Sequence, residues 1–215
     1  MSGKLSYFGV GGRAEAIRAL MAHAGKTFEN NVVESNAEMK ESGYSPMGGL
    51  PLWDQDGFVM CGSNAILRRV GMEHGYYSTD ATIAFNIDSL CEFQEDIVGM
   101  FVQYIMPKMM GGELGDQDKF MTFWTKQSDI LEARLAAGKK NFAAGTDKPT
   151  IADFKLFAQV SYGLASINTT ACMVPEDVQA QVQAIVDSHP MYKKWIAAMT
   201  KETASWVASR PAVPL

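Results

Sequence analysis

The sequence predicts a small α/β unit over about residues 1–76, followed by an all-α region over 80–215. Three observations predict it. A strand-like run passes through a glycine turn into a helix-like run, an Asp-Gly pair separates two short apolar runs, and from Thr79 on every apolar pattern has helical period.

Lys4-Leu5-Ser6-Tyr7-Phe8 alternates like a short strand, and Gly9-Val10-Gly11-Gly12 is a turn. From Arg13, an apolar stripe of Ala14, Ile17, Leu20, Met21 and Ala24 predicts a helix that Gly25 stops. Thr27 to Val33 carries β-favouring residues and predicts a second strand, parallel to the first across that helix. Leu50-Pro51-Leu52-Trp53 and Phe58-Val59-Met60-Cys61 flank Asp56-Gly57, a strong short-range hairpin signal. Ser63 then predicts the N-cap of a helix through Val70. The order βαβ, ββ, α implies a mixed sheet. Beyond it, a helix with Ile83, Ile87, Leu90, Ile97, Phe101 and Ile105 runs until Pro107, and Phe120–Leu135 resumes the period. Thr150-Ile151-Ala152-Asp153 reads as a capping box with Asp in place of the usual Glu or Gln. Val178–Val186 and Met191–Val207 complete the helices.

Composition narrows the function. The chain has 215 residues, 47% of them hydrophobic, and a net charge of −5, which suits a globular fold and excludes the basic footprint of a nucleic-acid binder. No window approaches a membrane span, and Met1-Ser2-Gly3-Lys4 leads into no signal-peptide stretch, so a cytoplasmic protein with no membrane partner is expected. Cys61, Cys91 and Cys172 lie far apart and odd in number, which argues against a disulfide framework. His23, His74 and His189 are scattered and no C-x-x-C exists, so no metal is expected.

Gly9-Val10-Gly11-Gly12-Arg13-Ala14 matches G-x-G-x-x-A, with Glu34 where a ribose-binding acid would stand. A dinucleotide fold needs a second βαβ half, however, and this chain turns to a hairpin and then to helices. The loop therefore reads as a tight strand–helix turn. Pro51 opens a strand, where a cis Leu50–Pro51 bond would leave backbone groups free to pair with an extended peptide. Gly62-Ser63-Asn64 at a helix start suits a carboxylate.

Taken together, these features resemble the thioredoxin-like domain of the soluble glutathione transferases. Tyr7-Phe8 with Gly12-Arg13-Ala14-Glu15-Ala16-Ile17-Arg18 looks like the sigma-type branch of the alpha/mu/pi/sigma group. Phe142-Ala143-Ala144-Gly145 with Thr150–Phe154 resembles the family's capped core helix, and His189–Trp195 its late helix.

The resemblance implies a thioredoxin-like glutathione-binding domain and an all-α domain that contributes the electrophile pocket. It implies glutathione as co-substrate, small apolar electrophiles as second substrates, a detoxifying role and a homodimer. Tyr7 would stabilise the thiolate, and Arg13 would orient Tyr7 or raise the field at the sulfur. Ser63 would grip the γ-glutamyl carboxylate, with Gly62 standing where the family has glutamine and offering only its N–H. Leu50, before Pro51, would exchange backbone bonds with the cysteinyl part. Lys40, the only basic residue between Lys26 and Pro51, is the candidate for the glycyl carboxylate. Asp96 aligns with an acid that reaches across the dimer to the ligand's amino group. Val10, Met100 and Tyr104 would line the electrophile pocket, although the i,i+4 spacing of the last two serves core packing equally well. A glutathione-dependent isomerase or peroxidase, and a non-enzymatic crystallin-like or ligand-carrying protein, are the alternatives on the same fold.

Overall fold

The computed structural model describes residues 3–41, 43–138, 140–164 and 174–210. Cys172 lies outside them. β1 (Lys4–Tyr7) leads through a 3₁₀ turn at Gly12–Ala14 into α1 (Glu15–His23), β2 (Glu29–Val32) and α2 (Asn36–Glu41). β3 (Leu52–Gln55), β4 (Phe58–Cys61) and α3 (Ser63–His74) complete the α/β part. α2 is absent from the sequence reading, because six residues with no apolar stripe carry no periodic signal.

The sheet order is β2-β1-β3-β4. β1 pairs parallel with β2, Tyr7 opposite Val32, and antiparallel with β3, so the sheet is mixed as expected. β3 and β4 close over Asp56 (φ 55) and Gly57 (φ 85), two residues in the left-handed region that give the hairpin a twist matching its strands.

The helical region holds α4 (Ala81–Met109), α5 (Gln117–Gly138), α6 (Ile151–Gly163), α7 (Glu176–Asp187), α8 (Pro190–Glu202) and α9 (Ala204–Ser209). Asp80 caps α4 by accepting from the N–H groups of Thr82 and Ile83. Pro107 does not end α4, contrary to expectation. It sits in the last turn, and the C-terminal carbonyls are met from beyond the helix, Tyr104 O by Gly115 N and Pro107 O by Gly112 N. The run expected over Met191–Val207 breaks at Thr203 into α8 and α9.

The capping box at Thr150 and Asp153 forms as read. Fully buried Asp153 also accepts from Ala143 N at 2.8 Å and Trp195 Nε1 at 2.9 Å, tying α6 to the preceding loop and to α8. α1 packs on α3 and α6, and α4 on α5 and α6, so one continuous core runs from the sheet into the helices. This packing sets α1 on α6 and brings the 3₁₀ turn before it, through Arg13, to Glu95 of α4.

Candidate functional site

Tyr7 ends β1 and is 7% exposed. Its hydroxyl oxygen accepts the backbone N–H of Arg13 at 3.1 Å, which leaves the hydroxyl hydrogen available to another acceptor. Gly12 makes this approach possible: its φ is 46°, and a Cβ there would stand 2.7 Å from the Tyr7 oxygen. The glycine turn is thus a structural device, as its tight-turn reading expects, and it serves the tyrosine. Buried Arg18 fixes the loop from below, donating to Val10 O at 2.9 Å and to Asn30 Oδ1 at 2.9 Å, with its guanidinium 5.9 Å from the Tyr7 ring centre.

A charged cluster adjoins the tyrosine. The Arg13 guanidinium donates to Glu95 of α4, and the ammonium of Lys155 on α6 donates to Glu95, to Cys91 O and to Asn64 Oδ1 of α3. The Lys155 side chain is 7% exposed. Burial pushes the Glu95 carboxyl up, but the hydrogen bonds from Lys155 and Arg13 outweigh it and hold the group below its ordinary value. Burial lowers Lys155, and the bond to Glu95 opposes that shift.

The α3 N-terminus differs from expectation in one respect. Gly62 (φ 86), not Ser63, is the N-cap, and Ser63 is the first helical residue with no side-chain cap on the helix. The position still presents a hydroxyl at a helix N-terminus. The Leu50–Pro51 bond is cis.

Tyr7, Val10, Arg13 and Ser63 line one cavity of about 510 Å³ between the sheet side and helices α4 and α6. Its remaining polar lining is Gln94, Glu95, Lys155 and Gln159; the apolar wall is mostly α4, through Val98, Phe101, Val102, Ile105, Met106 and Met109. Leu50, Pro51, Gly62, Lys40 and Asp96 stand outside this lining. The Lys40 stem packs against Gly48, two residues before Leu50, and Asp96 is exposed on α4. Met100 and Tyr104 of α4 also stand outside this lining. Tyr104 is 1% exposed and stacks on Phe120 of α5 at 4.4 Å between ring centres, so its place is the core.

Glu95 and Lys155 escaped the sequence reading. A lysine within Phe154, Leu156, Phe157, Ala158 and Val160 was the available signal, since such a cation needs a buried acceptor. Among the described residues, no group of three or more His, Cys, Asp or Glu side chains could hold a metal, and no helix is long and apolar enough to cross a membrane.

No family model matches the chain. Among curated proteins it is similar to probable glutathione S-transferase 5 of Caenorhabditis elegans, 30% identical over 203 residues that span 91% of this chain and 96% of that one. Probable glutathione S-transferase 7 of the same organism is 29% identical over 90% of this chain and 94% of its own. Among solved structures, the glutathione S-transferase of Ascaris lumbricoides superposes with a TM-score of 0.79 at 23% identity over 98% of both chains.

Proposed function

We infer that this chain, which belongs to the glutathione transferase family and joins glutathione to electrophilic small molecules, forms its thiolate nucleophile against the Tyr7 hydroxyl. The observation that carries the reading is the Arg13 N–H bond to the Tyr7 oxygen at 3.1 Å, at the wall of the cavity. With that oxygen already accepting, the hydroxyl hydrogen is left to donate to a sulfur, and the donated N–H polarises the O–H toward it.

A thiol with an ordinary pKa of about 8.5 is mostly protonated at neutral pH, and its thiolate is the nucleophile. Lowering that pKa by about two units requires roughly 2.7 kcal/mol, within reach of one charge-assisted hydrogen bond helped by a nearby cation. The thiol proton leaves to solvent. The thiolate then forms a carbon–sulfur bond with the electrophile, whose leaving group departs with its bonding electrons.

The first 76 or so residues serve as the glutathione-binding domain in this reading. Ser63, the Gly62 N–H and the α3 N-terminus hold the γ-glutamyl carboxylate, and the Leu50 backbone before cis Pro51 pairs with the cysteinyl part. Lys40 meets the glycyl carboxylate. The electrophile lies along Val10 and the α4 wall, where Met106 and Met109 supply an adaptable apolar surface. In this reading the chain is a homodimer and Asp96, exposed and off its own chain's cavity, reaches the amino group of the second copy's ligand. The protein is cytoplasmic in this reading. The Tyr7-Phe8 and Gly12–Arg18 runs support a sigma-like placement within the family.

The test is turnover of an aryl-halide electrophile with glutathione by wild type and Tyr7→Phe. Loss of about 2.7 kcal/mol of thiolate stabilisation predicts a fall of roughly 100-fold in kcat/KM. Equal rates would remove Tyr7 from the chemistry.

A further inference from the structure

Lys155 has no part in the chemistry described above, yet its ammonium is buried in the wall of the same cavity and touches both ends of the site. Through Glu95 it reaches Arg13, whose backbone holds the Tyr7 hydroxyl, and it donates directly to Asn64, the residue after Ser63. Two elements far apart in sequence from its own helix α6, α3 and α4, converge on it.

We propose that Lys155 is a positioning residue for glutathione activation: it neutralises Glu95 so that the positive charge of Arg13 remains uncompensated beside the sulfur. This rests on the reading that glutathione binds at Tyr7.

The charge count gives the reason. Glu95 carries one negative charge and accepts from two cations, so Arg13, Glu95 and Lys155 together carry one positive charge. Without Lys155, Arg13 and Glu95 cancel, and a carboxylate faces a developing thiolate in a cavity whose wall is largely apolar. A carboxylate there disfavours ionisation of the thiol, an effect that solvent at the partly exposed Arg13 and Glu95 moderates. The other groups facing Lys155 are Cys91 and Asn64, and Arg18 faces the Tyr7 ring. Cys91 is neutral at working pH, its thiol pushed up to about 12 by burial. Arg18 is retained in every variant below, so neither alters the count.

Binding also bears on the arrangement. Asn64 lies in the first turn of α3, and the Lys155 bond fixes that turn against α6. Loss of Lys155 therefore loosens the glutathione carboxylate anchor as well as the thiolate.

The experiment is a pH titration of the ultraviolet thiolate absorbance of bound glutathione in wild type, Tyr7→Phe, Lys155→Met and the double variant Lys155→Met/Glu95→Gln, with thermal melts to verify folding. Lys155→Met is expected to form thiolate at higher pH, with about fivefold less at neutral pH. The double variant restores the single positive charge on Arg13 and is expected to return within about twofold of wild type. It also removes the unbalanced carboxylate, so it stays informative should the single variant fold poorly. A Lys155→Met titration that overlays wild type, or a double variant shifted as far as or further than the single one, overturns the proposal and leaves Lys155 a packing residue. If either occurs while Tyr7→Phe still loses thiolate, the Tyr7 reading stands alone. If Tyr7→Phe titrates like wild type, that reading falls and takes this one with it.

Discussion

A Cβ placed on Gly12 would stand 2.7 Å from the hydroxyl oxygen of Tyr7, inside any allowed contact between the two. The glycine and the tyrosine are one device. The residue must lack a side chain for the phenol to reach the Arg13 N–H, and it must also accept a φ of 46°.

Gly12→Ala is therefore expected to cost activity more than stability. A left-handed alanine costs roughly 1–3 kcal/mol, a modest drop in melting temperature, while the displaced phenol loses its aim. The measurement is kcat/KM beside a thermal melt. A variant that melts lower but turns over like wild type would contradict the pairing.

Asp153 supports a second prediction. Its carboxylate accepts from Ala143 N, Thr150 N, Thr150 Oγ1 and Trp195 Nε1, all in the core. Asp153→Asn replaces one acceptor oxygen by a donor facing donors and leaves buried N–H groups unpaired. Destabilisation of roughly 3 kcal/mol is expected by urea unfolding.

The contrast between these two sites explains how much was legible in the sequence. The capping box at Thr150 and Asp153, and the hairpin at Asp56 and Gly57, are local devices whose residues stand within four positions, so their meaning is carried by spacing alone. Tyr7, Val10, Arg13 and Ser63 were legible because they flank such devices, the glycine turn and the start of α3. Glu95 and Lys155 were not, because their partners lie 82 and 60 residues away and no local pattern encodes the meeting. Met100 and Tyr104 show the complementary limit. Periodicity finds the stripes of a helix, but which stripe faces α5 and which faces the cavity depends on how the helices dock. The break at Thr203 likewise leaves the apolar period of α8 and α9 almost intact.

His189 gives a pH prediction. Its Nε2 faces Asp129 Oδ1 at 3.0 Å and its Nδ1 faces Ile185 O at 2.6 Å, an arrangement in which both nitrogens donate only when the ring is protonated. The Asp129 hydrogen bond, joined by the Ile185 carbonyl, raises the His189 pKa above its ordinary value against a smaller burial penalty. A base whose pKa is higher folded than unfolded stabilises the fold fully below the unfolded value, about 6.5, and loses that contribution as pH rises through the folded value. The melting-temperature difference between wild type and His189→Asn is thus expected to be largest below about pH 6 and to shrink as pH rises. A difference constant across this range would contradict the assignment.

Cys91 should be inert. Burial raises its thiol to about 12, and Lys155 only partly offsets that shift. Site-resolved mass spectrometry after mild alkylation of the native protein at neutral pH is expected to find Cys61 modified and Cys91 unmodified. Early labelling of Cys91 would mean that α4 opens away from α6.

The most direct measurement of the central claim is the pH at which bound glutathione becomes a thiolate, read by its ultraviolet absorbance in wild type and Tyr7→Phe. The account predicts ionisation about two units below the free thiol in wild type and a return close to the free value in the variant. Two superimposable titration curves would contradict it.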